Sequence, residues 1–225
     1  MNGPGASTPT DRDLQRMYAR RFGDDLEFRR RMWHVLCSRF FQRYVPRDAS
    51  VVDLGAGFCE FINHIEAARK IAVDVRSDTA DYAAPGVEVL PDLRAVASQS
   101  VGVVFASHFL EHLTREEIVR TVREVRRVLR EDGVFLVLQP NIRYCYRDYW
   151  MFFDHITPLD DRSLTEVLEN NGLRVTKMIP RFLPYTTKSR LPRSLLLIHI
   201  YLRVPLLWRL FGGAAFAVAR PDSHV

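Results

Sequence analysis

Val51-Val52-Asp53-Leu54-Gly55-Ala56-Gly57-Phe58-Cys59-Glu60-Phe61 decides how this chain is read. Ser50-Val51-Val52 opens it as a short apolar run, the pattern of a buried strand. Gly55 and Gly57 turn the chain, and an amphipathic helix is expected over roughly Glu60 to Arg69. Strand, glycine turn and helix are the opening unit of a doubly wound sheet. The glycines let backbone pass close to a ligand where a Cβ would collide. Lys70 to Val75 reads as the second strand, and its Asp74 follows Asp53 by 21 positions (74 − 53). That is about the ~20-residue offset at which a carboxylate on the second strand's tip accepts hydrogen bonds from ribose hydroxyls.

Asp53-Leu54-Gly55-Ala56-Gly57 followed by Ala72-Val73-Asp74 resembles the class I S-adenosylmethionine-dependent methyltransferases. The resemblance implies an α/β fold, a doubly wound, seven-stranded, mostly parallel Rossmann-like sheet. It also implies S-adenosyl-L-methionine as cofactor. In that family the position of Asp53 orients the glycine loop, Gly55 and Gly57 lie against the methionine part, and Asp74 holds the ribose. The pattern's third glycine falls at Cys59 here. A dinucleotide oxidoreductase would want Gly-x-Gly-x-x-Gly, and position 60 is Glu60. Val87 to Leu90 reads as a third strand, and the resemblance gives Asp92 just beyond it to the adenine amino group. Helix capping of the segment from Leu93 is the other reading of Asp92. Val101 to Ala106 reads as the fourth strand. Ser107-His108-Phe109-Leu110-Glu111-His112-Leu113 then resembles the family motif in which that strand ends and a helix begins. Ser107 and His108 are expected to border the cofactor. Glu111 and His112 read as a structural pair at the helix start. No metal is expected, because His108, Glu111 and His112 lack a third partner of known spacing.

Two hundred and twenty-five residues with 47% apolar content suit one domain with a decorated edge. A net charge of +5 permits an anionic partner but is too mild to imply nucleic acid. Nucleic-acid amino methyltransferases of this fold carry Asn/Asp-Pro-Pro-aromatic after the fourth strand, where this chain has Ala106-Ser107-His108-Phe109. Cys37, Cys59 and Cys145 are widely spaced and offer neither a disulfide framework nor a metal spacing, which points to the cytoplasm. Residues 1–10 read as a disordered N-terminus and 11–48 as an N-terminal helical lid. From the resemblance, Tyr18, Phe22 or Trp33 of that lid would line the site. Residues 49–221 form the methyltransferase domain, and 222–225 a tail.

Thr114 to Arg130 reads as an amphipathic helix, and Val134 to Leu138 as a buried fifth strand ending in Gln139-Pro140-Asn141. Strand carboxyl ends are where such sheets place ligands. The aromatic segment beyond is expected to wall a substrate pocket, with Tyr144, Tyr149 and Trp150 as contacts. Asp154-His155 is the catalytic candidate. An imidazole with an ordinary pKa near ~6.5 can take a hydroxyl proton near neutral pH, and a carboxylate can orient it. A helix from Ser163 to Gly172 and strands at Leu173–Ile179 and Ala214–Ala219 complete the sheet.

Between Pro180 and Pro221 there is no Asp or Glu, while Arg181, Lys188, Arg190, Arg193, Arg203, Arg209 and Arg220 are basic. Leu195 to Trp208 is almost unbroken apolar sequence, interrupted at Arg203 and Pro205, and is short of the ~20 residues that span a bilayer. The insertion 180–212 is expected to rest in a membrane interface or to meet a second protomer through 191–211, with packing on the domain alone as the other reading. Arg190 is expected to grip an anionic acceptor. The expected activity is O-methylation of a sugar or glycan precursor, phosphate- or lipid-linked, by a cytoplasmic protein peripheral to the membrane. A small aromatic or polyketide acceptor is the alternative. A non-catalytic cofactor-binding scaffold is the alternative from another class.

Overall fold

The computed structural model describes residues 11–22, 25–185 and 194–222. The expected disorder of 1–10 and the expected roles of Tyr18, Phe22 and Arg190 lie outside the residues or side chains described. Seven strands form one sheet: β1 (Ser50–Leu54), β2 (Arg69–Val73), β3 (Val87–Leu90), β4 (Val101–Ser107), β5 (Leu129–Pro140), β6 (Leu173–Leu183) and β7 (Ala214–Pro221). Their order is β3-β2-β1-β4-β5-β7-β6. The first five run parallel, and β7 is antiparallel to both β5 and β6. β1 and β4 are read as apolar runs because parallel strands are covered on both faces. Alternate residues then divide between two cores: Val51 and Val103 face one, Val52 and Val104 the other.

Helices α2 (Leu26–Arg39), α3 (Glu60–His64) and α8 (Leu195–Arg203) contribute to the first core, together with Phe40, Phe41, Phe61, Phe105, Phe182 and Phe216. On the other face lie α5 (Arg115–Val128) and α7 (Asp161–Glu169), burying Ile118, Val122, Val125, Leu164 and Leu168. Thr114 caps α5 by accepting from Glu117 N, and the Glu117 carboxylate accepts from Thr114 N. The remaining helices are α1 (Asp11–Phe22), α4 (Thr79–Tyr82), α6 (Ile142–Tyr149) and α9 (Pro205–Phe211). No helix among the described residues is long and apolar enough to cross a membrane.

Four local expectations are corrected. The helix after the glycine turn ends at His64, not Arg69. The Gln42 amide takes over the next turn's hydrogen bonds, donating to Glu66 O and accepting from Glu66 N, each at 2.9 Å. Helix α5 stops at Val128, and Leu129 already pairs with Val101. A bulge separates that pair from Val134 opposite Val103, and a Cβ on Gly133 would meet Arg130 O at 2.9 Å. Strand β6 runs to Leu183, so 180–183 belongs to the sheet rather than to the insertion. Finally, α2 is core rather than lid. Trp33 is buried against Phe41, Phe61 and Phe105, so it packs the sheet and does not line the site.

Candidate active site

The strand order reverses between β1 and β4, and the carboxyl ends of those strands define the crevice where such sheets bind ligands. Gly55 and Gly57 have φ of +73° and +51°, a region costly for side chains other than glycine. Gly55 N and Ala56 N donate to Val73 O at 2.8 and 3.2 Å, fastening the loop to β2. A Cβ on Gly55 would overlap the Phe109 ring. A Cβ on Gly57 would meet nothing within 4 Å, so space lies open along this part of the loop. Cys59 also adopts the left-handed conformation, with φ +57°. That is the conformation a glycine would favour at the pattern's third position, and the cysteine keeps it with its thiol buried against Thr79 O.

Asp53 is buried, and its carboxylate accepts from Ile62 N at 3.3 Å, so it orients α3 behind the loop. Burial pushes its pKa up to about 8. Asp74 joins the second strand to the loop: Oδ2 accepts from Gly57 N at 2.7 Å and Oδ1 from Arg76 N at 2.9 Å. Burial raises its pKa, and these two donors oppose the rise. Each oxygen keeps a second lone pair for a ribose hydroxyl. The open side of Gly57 and the adjoining carboxylate thus fit S-adenosylmethionine. Asp92 caps a short 3₁₀ turn at Leu93–Ala95, accepting from Arg94 N at 2.8 Å and pairing with the Arg94 guanidinium. It lies at the tip of β3, and its contact with adenine stays a proposal. Ser107 Oγ lies 3.1 Å from His108 Nδ1. His108 has φ +49°, and burial lowers its pKa to about 3, so the ring is neutral at pH 7.

Across the crevice the structure assembles a cluster only partly visible in the sequence. Glu111 is fully buried, and its backbone carbonyl accepts from Ile156 N and Thr157 N at 2.8 and 3.1 Å. These bonds bring the segment after α6 against the tip of β4. His155 is buried there, with its ring centroid 4.6 Å from Tyr149 and 5.1 Å from His112. Burial lowers the His155 pKa to about 4. The expected Asp154–His155 dyad is not formed, because neighbouring side chains on this segment diverge. Asp154 instead pairs with Arg21 at 2.7 and 3.2 Å. Its Oδ2 lies 3.3 Å and its carbonyl oxygen 3.0 Å from His112 Nδ1. Burial would raise the Asp154 pKa, but the Arg21 hydrogen bonds and His112 outweigh it and hold the pKa below the usual carboxylate value.

Neither carboxylate oxygen of Glu111 has a hydrogen-bond partner, and the same holds for His155 Nδ1, both Gln139 amide atoms and the Tyr185 hydroxyl. Buried polar atoms without partners are costly, and here they gather at the carboxyl ends of β4 and β5. One potential ligand atom from each of Glu111, His112 and His155 lies within 4.8 Å of the other two.

The expected aromatic wall is rearranged. Its first part is helix α6, capped by Asn141. Tyr149 is fully buried, donates to Thr157 O at 2.9 Å and backs His155 rather than facing a ligand. Tyr144 lies between Arg143 and Arg181, and Trp150 is exposed. Tyr185, which the sequence reading missed, stands with Phe152 beside His155. Helix α1 closes over both sides of the crevice, since Gln15 donates to Ser77 beyond β2 while Arg21 holds Asp154. Arg21 also lies over the Phe152 ring, at 4.4 Å.

Residues 52–137 match the family model described as a methyltransferase domain. No curated protein matches the chain. Among solved structures, a SAM-dependent methyltransferase of Archaeoglobus fulgidus is 22% identical, covers 90% of this chain and 99% of its own, and gives a TM-score of 0.66. A TehB-like SAM-dependent methyltransferase of Corynebacterium glutamicum is 14% identical, with 93% and 98% covered and a TM-score of 0.60. The mitomycin 7-O-methyltransferase MmcR is 15% identical, with 93% of this chain and 60% of its own covered and a TM-score of 0.59. At these identities the likeness is one of fold. A methyltransferase domain at 52–137 is thus set in the Rossmann-like fold that S-adenosylmethionine-dependent methyltransferases share.

Proposed function

We propose that the chain O-methylates a sugar hydroxyl on a phosphate- or lipid-linked glycan precursor. The observation that carries this reading is the surface beside the site. Helices α8 and α9 expose Leu196, Leu197, Ile200, Leu206, Leu210 and Phe211. The stretch that holds them contains no acid and several arginines. The Arg181 guanidinium fastens the end of α9 by donating to Leu210 O and Gly212 O, each at 3.0 Å. Gly213 then packs under Tyr185, so this apolar and basic surface adjoins the orphaned polar cluster. An acyl or prenyl tail suits the surface, a phosphate suits its arginines, and a sugar hydroxyl suits the cluster.

Bound S-adenosylmethionine supplies a methyl group activated on a sulfonium. The chain's own task is to hold the acceptor hydroxyl in line and draw off its proton as the carbon–oxygen bond forms and the carbon–sulfur bond breaks. That task falls to the cluster of Glu111, His112 and His155. The test is transfer of labelled methyl to a panel of acceptors. Polyprenyl-diphosphate sugars and sugar nucleotides should be labelled, and Leu206→Glu with Leu210→Glu should depress turnover of the polyprenyl-linked acceptors alone. Turnover of a flat phenolic metabolite with none of the glycan acceptors overturns the proposal.

A further inference from the structure

We propose that Glu111, His112 and His155 form a binding site for one divalent transition-series cation. Two imidazoles and one carboxylate, with positions left open, are a donor set that holds such ions. Near Glu111 and His112 in sequence there is no third ligand of suitable spacing, which is why no metal is expected from the sequence alone. The fold supplies it as His155, 43 positions beyond His112 (155 − 112).

Three independent features converge on this site. First, the Glu111 side chain is fully buried and neither oxygen makes a well-formed hydrogen bond, although the Gln139 amide and its own backbone N–H lie close enough to favour the charged form weakly. Burial outweighs them and raises its pKa, so a buried carboxylate this poorly satisfied is unfavourable unless a proton or a cation neutralises it. Second, His112 Nδ1 is engaged by Asp154, which leaves Nε2 to coordinate. A carboxylate or carbonyl that accepts from the far nitrogen of a histidine is the usual outer support of that metal ligand, and Arg21 fixes this carboxylate in turn. Third, His155 Nδ1 is buried with no partner, while Tyr149 holds the ring from behind.

The ligand atoms lie within 4.8 Å of one another. Bonds of about 2.0–2.1 Å allow ligand atoms at most ~4.2 Å apart, so no more than a small inward movement completes the site on loading. Mixed nitrogen and oxygen donors favour zinc, manganese, cobalt or iron(II) over magnesium or calcium, which take oxygen ligands. The ion's use in catalysis rests on the proposed methyl transfer; its binding does not. A sugar hydroxyl placed on the open positions would become more acidic and release its proton to water, and the resulting oxygen would attack the methyl carbon. Direct proton uptake by His155 would then be replaced.

The test uses the full chain stripped with a chelator. Cobalt(II) absorption and zinc calorimetry should show one equivalent bound. Glu111→Gln and His155→Gln should each abolish that binding. Asp154→Asn should weaken it about 10-fold to 100-fold, as loss of an outer support does. His64→Gln should leave it intact, since His64 contacts His34 and Glu60 O rather than this cluster. Each variant is checked for fold by circular dichroism and for S-adenosylmethionine binding, which the metal proposal leaves unchanged. Absence of binding in folded protein, or binding that survives both Glu111→Gln and His155→Gln, overturns the site. Failure of cofactor binding would instead strike at the methyltransferase reading.

Discussion

Gly55→Ala and Gly57→Ala separate what folds the glycine loop from what binds through it. Both residues have positive φ, so alanine at either introduces backbone strain of about 1–2 kcal/mol. Reduced freedom of the unfolded chain returns about 0.4–1 kcal/mol. At Gly57 nothing further opposes the new methyl, since its Cβ would have no neighbour within 4 Å. A net loss of about 1 kcal/mol is expected. At Gly55 the Cβ would also drive into Phe109, lying 2.9 Å from Cγ and 3.1 Å from Cβ. Forcing such a group into a packed core costs about 1–3 kcal/mol more, so Gly55→Ala should lose about 2–4 kcal/mol. Urea unfolding at constant m reads these values. Phe109→Ala should remove most of the excess at Gly55 in a double-mutant cycle, leaving strain and a tight contact with the retained Cβ. Cofactor affinity should rank the other way: Gly57→Ala, folded and nearly as stable as the parent, should bind S-adenosylmethionine at least about tenfold more weakly, or ~1.4 kcal/mol. Equal destabilisation by the two alanines, or an excess at Gly55 that Phe109→Ala leaves untouched, would refute this division of labour.

Asp53 links stability to pH. Its folded pKa of about 8 exceeds an unfolded value near ~3.9, so its stabilisation is fully present below about pH 4 and is lost as pH rises toward and through about 8. Asp53→Asn keeps an acceptor for Ile62 N and should flatten the fall in urea-unfolding free energy between pH 5 and 7.5; parallel curves for parent and variant would reject the assignment. Arg29→Ala strands Glu60 from its paired guanidinium, in a bridge whose two side chains are largely covered, and should cost about 2–4 kcal/mol by thermal or urea unfolding. Leu206→Glu with Leu210→Glu should cut sedimentation with anionic vesicles at least about tenfold, since each leucine offers ~1.5–3 kcal/mol of burial. Unchanged sedimentation would remove the lipid surface from the account.

The glycine loop and its flanking strands were legible because their signals are local: apolar runs, two glycines, and an acid at the tip of the next strand. Elements set by distant partners were not. The start of β5 depends on Val101 accepting Leu129 as a neighbour, which helical periodicity through Arg130 conceals. Trp33 has the amphipathic spacing of a lid residue, yet Phe61 and Phe105 claim it for the core. Adjacency in sequence suggested Asp154 for His155, whereas the fold gives Asp154 to His112 and Arg21. Tyr185 gave no signal beyond being aromatic in an acid-free stretch. The orphaned state of Glu111 exists only in three dimensions. Cys59 looked like a departure from the pattern, but its left-handed backbone shows that the loop's shape survives the missing glycine.

The most direct measurement is calorimetric titration of the folded chain with S-adenosylmethionine and S-adenosylhomocysteine, with NAD as the control and Asp74→Ala alongside. The structure predicts micromolar binding of both sulfur ligands and none of NAD. Asp74→Ala should weaken that binding by about tenfold or more, since its carboxylate holds Gly57 N and offers the lone pairs a ribose would need. Absence of binding by either sulfur ligand would contradict the account and leave a methyltransferase fold acting as a scaffold.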